Sequence, residues 1–124
     1  REFPACAVAT YSTHDTAPIT SWWDEFAHSD KERLAQLGGF SVHANTQERA
    51  LPLLRLLAQS PADLVLVQPQ EVLDEPHRVN VPGSVSEHNW TYRLPLSAET
   101  LMRDPFATAR CRDLAAVFAA TGRL

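Results

Sequence analysis

Only two cysteines, Cys6 and Cys111, occur in this 124-residue chain, and neither has a second Cys or a His at metal-finger spacing. A disulfide framework and a zinc finger are therefore not expected, and the two read as reduced, packed thiols. Long hydrophobic runs are missing too. The strongest apolar stretches, Leu51 to Ala58 and Leu64 to Val67, fall far short of the roughly 20 residues that a membrane-spanning helix needs. An excess of basic residues is also absent: 11 Lys and Arg are mixed among 15 Asp and Glu, for a net charge of −4. Without a basic stripe to neutralise phosphates, neither nucleic acid nor a membrane is expected as a partner. There is no phosphate-binding glycine loop and no Cys-His nucleophile pair, and His28, His43 and His77 stand at no ligand spacing, so no metal and no cofactor are expected. The chain opens Arg1-Glu2-Phe3-Pro4-Ala5, with no initiator Met and no charged-then-apolar signal pattern, and reads as the cut end of a longer chain.

What is present is an ordinary globular composition, with 44% hydrophobic and 21% charged residues, enough to form a core. The length suits one domain, taken as residues 1–124. No internal repeat is visible.

Ala5 to Thr10 is a small apolar run that suits a strand buried on both faces of a parallel sheet. Thr20 or Ser21 can cap a helix reaching about residue 28, with Trp22, Trp23 and Phe26 on one side. Ser29-Asp30 opens a second helix that Gly38-Gly39 stops. Asn45 with Glu48 three places on is a capping-box start, Ala50, Leu51, Leu53, Leu54 and Leu57 supply an apolar face, and Pro52 is expected to kink that helix or reset its start. Leu64 to Val67 reads as a second buried strand. From Gln68 to Arg93 the chain is dense in Pro, Asn, Gly and Ser, with a short helix expected from Pro69. Ser97 caps another short helix. Asp104-Pro105 starts a last one, running to about Ala120 with Phe106, Ala109, Leu114, Val117 and Phe118 on its apolar face and a stop at Gly122. The pattern is α/β and helix-rich. Two strands cannot close a barrel, so it describes either an unusual α/β domain or the last units of a larger barrel.

Two loops carry chemistry. Thr13-His14-Asp15 stands just past the first candidate strand, where barrel enzymes place their active sites. A carboxylate there can hold sugar hydroxyls and counter positive charge as a glycosidic bond breaks, and the His can donate to the same sugar. By itself the triplet fits a local turn equally well. In the second loop, Asn80-Val81-Pro82-Gly83-Ser84 followed by Glu87-His88-Asn89-Trp90, Pro and Gly shape a turn, Asn can pair with hydroxyls and Trp offers a stacking face. A bare surface turn would explain most of it as well. Trp22-Trp23 could be a sugar platform, but its helical spacing with Phe26 favours core. Asn89-Trp90-Thr91 spells a glycosylation acceptor, with nothing here to indicate secretion.

Taken in order, Ser12 to Pro18 followed by Trp22-Trp23, then Leu64 to Val67, then Asn80 to Ser84 and Glu87 to Trp90, resemble the C-terminal part of amylomaltases, the family-77 glycoside hydrolases or 4-α-glucanotransferases. The resemblance spans nearly the whole chain. It implies the last β/α units, strands seven and eight, of a (β/α)8 TIM barrel of the α-amylase superfamily, and a cytoplasmic parent enzyme that moves α-1,4-glucan segments between maltooligosaccharides with retention. Under it, Asp15 is the supporting third carboxylate, His14 a substrate hydrogen-bonding neighbour, and Thr13, Asn80, Pro82, Gly83, Asn89 and Trp90 line the sugar cleft.

Two departures accompany the resemblance. The family usually has Pro between the His and Asn of the second loop and basic residues after its Trp, whereas His88 meets Asn89 directly here and Thr91-Tyr92 follow. The family's nucleophile and acid/base belong to earlier strands, and the motif context of Glu71, Glu75 and Glu87 matches neither role. The chain by itself is therefore expected to be inactive, and to self-associate through strands that the full barrel would cover. The alternatives are a fragment of another α-amylase superfamily enzyme, or a non-catalytic carbohydrate- or partner-binding module derived from the barrel.

Overall fold

Asn45 and Glu48 form the reciprocal cap that their spacing requires. The Asn45 side chain accepts from the Glu48 N–H at 3.0 Å, and the Glu48 carboxylate accepts from the Asn45 N–H at 2.9 Å. In the computed structural model, which describes residues 4–123, the helix so started (α3, Thr46–Ala58) is the centre of the molecule. It packs against α2 (His28–Gly38), α6 (Pro105–Ala120) and α1 (Ile19–Trp22). Leu53, Leu54 and Leu57 point inward from it, and Leu53 meets Ile19 and Trp23 in a cluster flanked by Tyr11, Trp22, Leu34, Phe40 and Leu56. Trp23 is thus core, and Arg49 stacks its guanidinium over the ring at 5.1 Å.

Pro52 lies inside α3 and does not divide it. An interior Pro costs about 3 kcal/mol, and three buried leucines at about 1.5–3 kcal/mol each outweigh it.

Two short strands, β1 (Val8–Ala9) and β2 (Leu64–Val65), pair in parallel with Val8 opposite Leu64 and Ala9 opposite Val65. The N–H groups of Leu64 and Leu66 donate to the carbonyls of Ala7 and Ala9. The run from Ala5 to Thr10 is therefore a strand only at its middle, and it is not buried on both faces. Val8, Leu64 and Leu66 are 54%, 58% and 56% exposed, because among the described residues each strand has a single neighbour.

The first two helices start ahead of their expected caps, α2 at His28 behind Ala27 and not at Ser29-Asp30, and the later ones follow their start signals. Pro18, with its ring-fixed φ of −59°, precedes α1, in place of the Thr20 or Ser21 cap. The Thr20 hydroxyl instead donates to the Glu75 carbonyl at 3.1 Å. After a 3₁₀ turn at Trp23–Glu25 the chain extends at Phe26, so this helical segment stops short of residue 28 and α2 begins there, behind Ala27. Gly39 ends α2 in the left-handed conformation at φ 70°. α4 (Pro69–Val72), α5 (Ala98–Leu101) and α6 start at Pro69, behind Ser97 and behind Asp104, as predicted, and residues 73–97 form turns without a regular element.

The inner face of α6 agrees with the predicted one in its C-terminal half, where Val117 is buried and Leu114 and Phe118 are half-buried. It departs from the predicted face in the first turns, where Ala107 and Arg110 are buried while Phe106 and Ala109 are exposed. An apolar tally could not include Arg110, whose guanidinium enters the interior because Asp74 neutralises it at 2.7 Å. Cys6 and Cys111 are free, but exposed rather than packed.

Candidate functional site

Both strands aim their C-terminal ends at one groove of about 410 Å³. Thr10, Ser12, Thr13 and His14 line it from β1, and Leu66, Val67, Gln68 and Pro69 from β2. Beyond β1 the chain folds into a tight turn: the Thr16 N–H donates to the Thr13 carbonyl at 3.2 Å, and the Thr13 N–H to the Thr16 hydroxyl at 2.8 Å. The Thr13 hydroxyl accepts from the Asp15 N–H at 3.3 Å, so Thr13 is engaged in shaping the turn. That turn sets His14 and Asp15 side by side at the surface, with His14 Nε2 3.3 Å from Asp15 Oδ2.

The second loop closes over this turn. Asn80 Nδ2 donates to Asp15 Oδ1 at 2.7 Å across 65 residues of sequence, and the Asn80 N–H donates to the His14 carbonyl at 3.0 Å. The Trp90 ring lies 5.0 Å from the His14 ring, tilted by 38°. Trp90 is largely exposed and has φ 65°, a conformation that costs a bulky residue about 1–3 kcal/mol. Its N–H is held by the Val79 carbonyl at 2.9 Å. A carboxylate, an imidazole, an amide and an open indole face thus meet at the ends of parallel strands, a set able to accept from hydroxyls, donate to them and stack on a sugar ring.

Asn89 is turned to a different task. Its Oδ1 accepts from the Val81 N–H at 3.1 Å, and its Nδ2 donates to the Ser84 carbonyl and hydroxyl at 3.1 and 3.2 Å. The amide braces the Val81–Ser84 turn, in which Gly83 takes φ 73° and Pro82 is exposed. Of the predicted site residues only Thr13 and His14 are walls of the groove, while Asp15, Asn80 and Trp90 gather beside His14 outside its lining and Pro82, Gly83 and Asn89 lie away from it as well.

Sequence reasoning missed a pair at the groove. The Ser12 hydroxyl donates to Glu71 Oε1 at 2.5 Å, and Glu71 Oε2 accepts from the Gln68 N–H at 3.0 Å. Both side chains are buried, Glu71 completely. Burial pushes the Glu71 carboxyl above its ordinary range, opposed by the bonds from Ser12 and Gln68. Burial, together with the Glu71 charge, likewise raises the neighbouring Tyr11 phenol, whose hydroxyl donates to the Leu53 carbonyl at 2.8 Å. The only local signal was an acid two places after Pro69, which marks a helix start and nothing about Ser12.

Among the described residues no three His, Cys, Asp or Glu side chains gather as a metal site, and no helix is long and apolar enough to cross a membrane.

The family model for 4-alpha-glucanotransferase, glycoside hydrolase family 77, matches residues 1–98. Curated relatives named 4-alpha-glucanotransferase include that of Chlamydia trachomatis serovar D, 28% identical over 81% of this chain and 21% of its own length. That of Chlamydia caviae is 27% identical over 91% of this chain and 23% of its own length. The chain therefore spans about a fifth of the relatives it matches. Among solved structures, an amylomaltase from Streptococcus agalactiae in complex with acarbose superposes with a TM-score of 0.79 at 21% identity, covering 98% of this chain and 23% of that one. At that identity the likeness is one of fold.

Proposed function

The chain belongs to the 4-alpha-glucanotransferase family, glycoside hydrolase family 77, and from that premise we propose that it is the C-terminal part of an enzyme that transfers α-1,4-glucan segments between maltooligosaccharides in the cytoplasm. In this reading β1 and β2 are the seventh and eighth strands of a (β/α)8 barrel. Asp15 is the supporting carboxylate that orients the sugar at the cleavage point, His14 and Asn80 hydrogen-bond around it, and Trp90 provides the stacking face. Thr13, Pro82, Gly83 and Asn89 shape the loops that carry these groups.

The observation that carries the reading is the hydrogen bond between Asn80 and Asp15 at the open ends of the parallel strands. It joins the two motifs, and the chemistry gathered there suits sugar hydroxyls. Retaining transfer needs a nucleophile and an acid/base, two carboxyl groups about 5–5.5 Å apart across the scissile bond. Asp15 is one supporting acid, and Glu71 is buried and fully engaged. The 124-residue chain on its own is therefore inactive.

Maltotriose disproportionation tests both halves. The isolated chain is expected to form no longer maltooligosaccharides. In the complete enzyme, Asp15→Asn is expected to lower kcat on the order of 10²–10³-fold, the usual loss when one preorganised electrostatic group is removed. Turnover by the isolated chain, or an unimpaired Asp15→Asn enzyme, would overturn the assignment. A second reading, a sugar-binding module without catalysis, draws on the exposed Trp90 beside His14. Calorimetric titration of the isolated chain with maltoheptaose separates the two, since clear binding favours the module.

A further inference from the structure

The turn bearing His14 and Asp15 must be fixed at two ends. Its outer end is held by Asn80, through backbone and side chain. Its inner end is Ser12, whose hydroxyl is bound by Glu71 across 59 residues of sequence. The second Glu71 oxygen holds the N–H of Gln68, which lines the groove from the β2 side. One carboxylate thus ties together the segments that leave both strands and line the groove.

Capping α4 does not require this burial. Glu48 does the same capping work at the start of α3 from an exposed position. Glu71 is fully buried, and none of the ion pairs among the described residues includes it. A buried carboxylate without a cation is costly, and the contact that distinguishes Glu71 from Glu48 is the bond to Ser12. Through Ser12 we infer that Glu71 is a positioning residue for the His14–Asp15 turn, setting how His14 stands on the groove wall and Asp15 beside it. This inference rests on the role proposed for Asp15.

Two-dimensional NMR of the isolated chain tests the positioning without relying on activity. The Asn80 side-chain amide, bonded to Asp15, reports the placement of the turn, and the backbone amides of Leu53, Leu54 and Ala107 report the core. Ser12→Ala and Glu71→Gln are expected to move the Asn80 amide resonances to the free-amide position and leave the core signals in place. Ser12→Thr, which keeps a hydroxyl, is expected to restore the wild-type pattern. An unmoved Asn80 amide in Ser12→Ala overturns the inference, and so does a shift shared with the core, the mark of general loosening. If Glu71→Gln does not fold, Ser12→Ala decides alone, because it removes a single hydroxyl.

In the complete enzyme Ser12→Ala is expected to lower kcat by about 10- to 100-fold with KM for maltotriose unchanged. A silent Ser12→Ala beside an impaired Asp15→Asn overturns this inference only. A silent Asp15→Asn overturns the proposed function, while the NMR result stands by itself.

Discussion

Asp15 and Glu71 are two acids with opposite circumstances. Asp15 is half-buried at the surface, with His14 and Asn80 as partners, and stays within reach of a ligand. Glu71 is sealed in the interior, bonded to Ser12 and Gln68. Because burial raises the folded-state pKa of Glu71 above the ordinary 4.5, the folded state holds its proton more tightly than the unfolded chain does. Its contribution to stability is then greatest below 4.5 and declines as pH rises through the window between 4.5 and the raised value. Glu71→Gln cannot titrate. The stability of the wild type minus that of Glu71→Gln, measured by urea unfolding at a series of pH values, is expected to fall as pH rises through that window. A difference that stays flat or grows with pH would contradict the burial effect. Residue order alone sets Asp15 beside His14, but it gave no sign that Glu71 is buried against Ser12, because a carboxylate's burial depends on what folds over it.

Among elements, α3 has the clearest dependence on its ends. Asn45→Ala removes one side of the capping box and is expected to cost about 1 kcal/mol in denaturant unfolding, with no change of fold. A loss below a few tenths would mean that tertiary packing alone positions the first turn. The helix starts at Asn45, Ser97 and Asp104 were legible in sequence because each cap bond spans only three residues. The C-terminal half of the inner face of α6 was legible at Val117, but its first turns were not, since they turn on an ion pair between Arg110 and Asp74, 36 residues apart. The first helix shows the same limit on a smaller scale: Thr20 is as good a cap as any by residue type, yet its hydroxyl bonds to Glu75, 55 residues away.

For the molecule as a whole, the two-stranded sheet is the exposed feature. Val8, Leu64 and Leu66 face outward, and each strand has one edge without a partner among the described residues. Open edges bearing apolar side chains favour pairing with another chain. The isolated chain is expected to show an average mass by light scattering that rises with concentration, and a Val8→Lys, Leu64→Lys double variant is expected to remain monomeric. A strict monomer at high concentration for the unmodified chain would rule the association out.

By itself the sequence determined the starts of α3, α4, α5 and α6, the glycine stop of α2, the location of the two strands and the ordered motifs that identify the family. Each of these is encoded in contacts a few residues long or in residue order alone. Only the tertiary structure decided that β1 and β2 pair in parallel, that Asn80 reaches Asp15, that Asn89 turns into its own loop and that Glu71 grips Ser12. Except within the Asn89 loop, these contacts join groups far apart in sequence. They form because packing around α3 brings the strand ends together, and once there a buried polar atom must find a partner within hydrogen-bond reach.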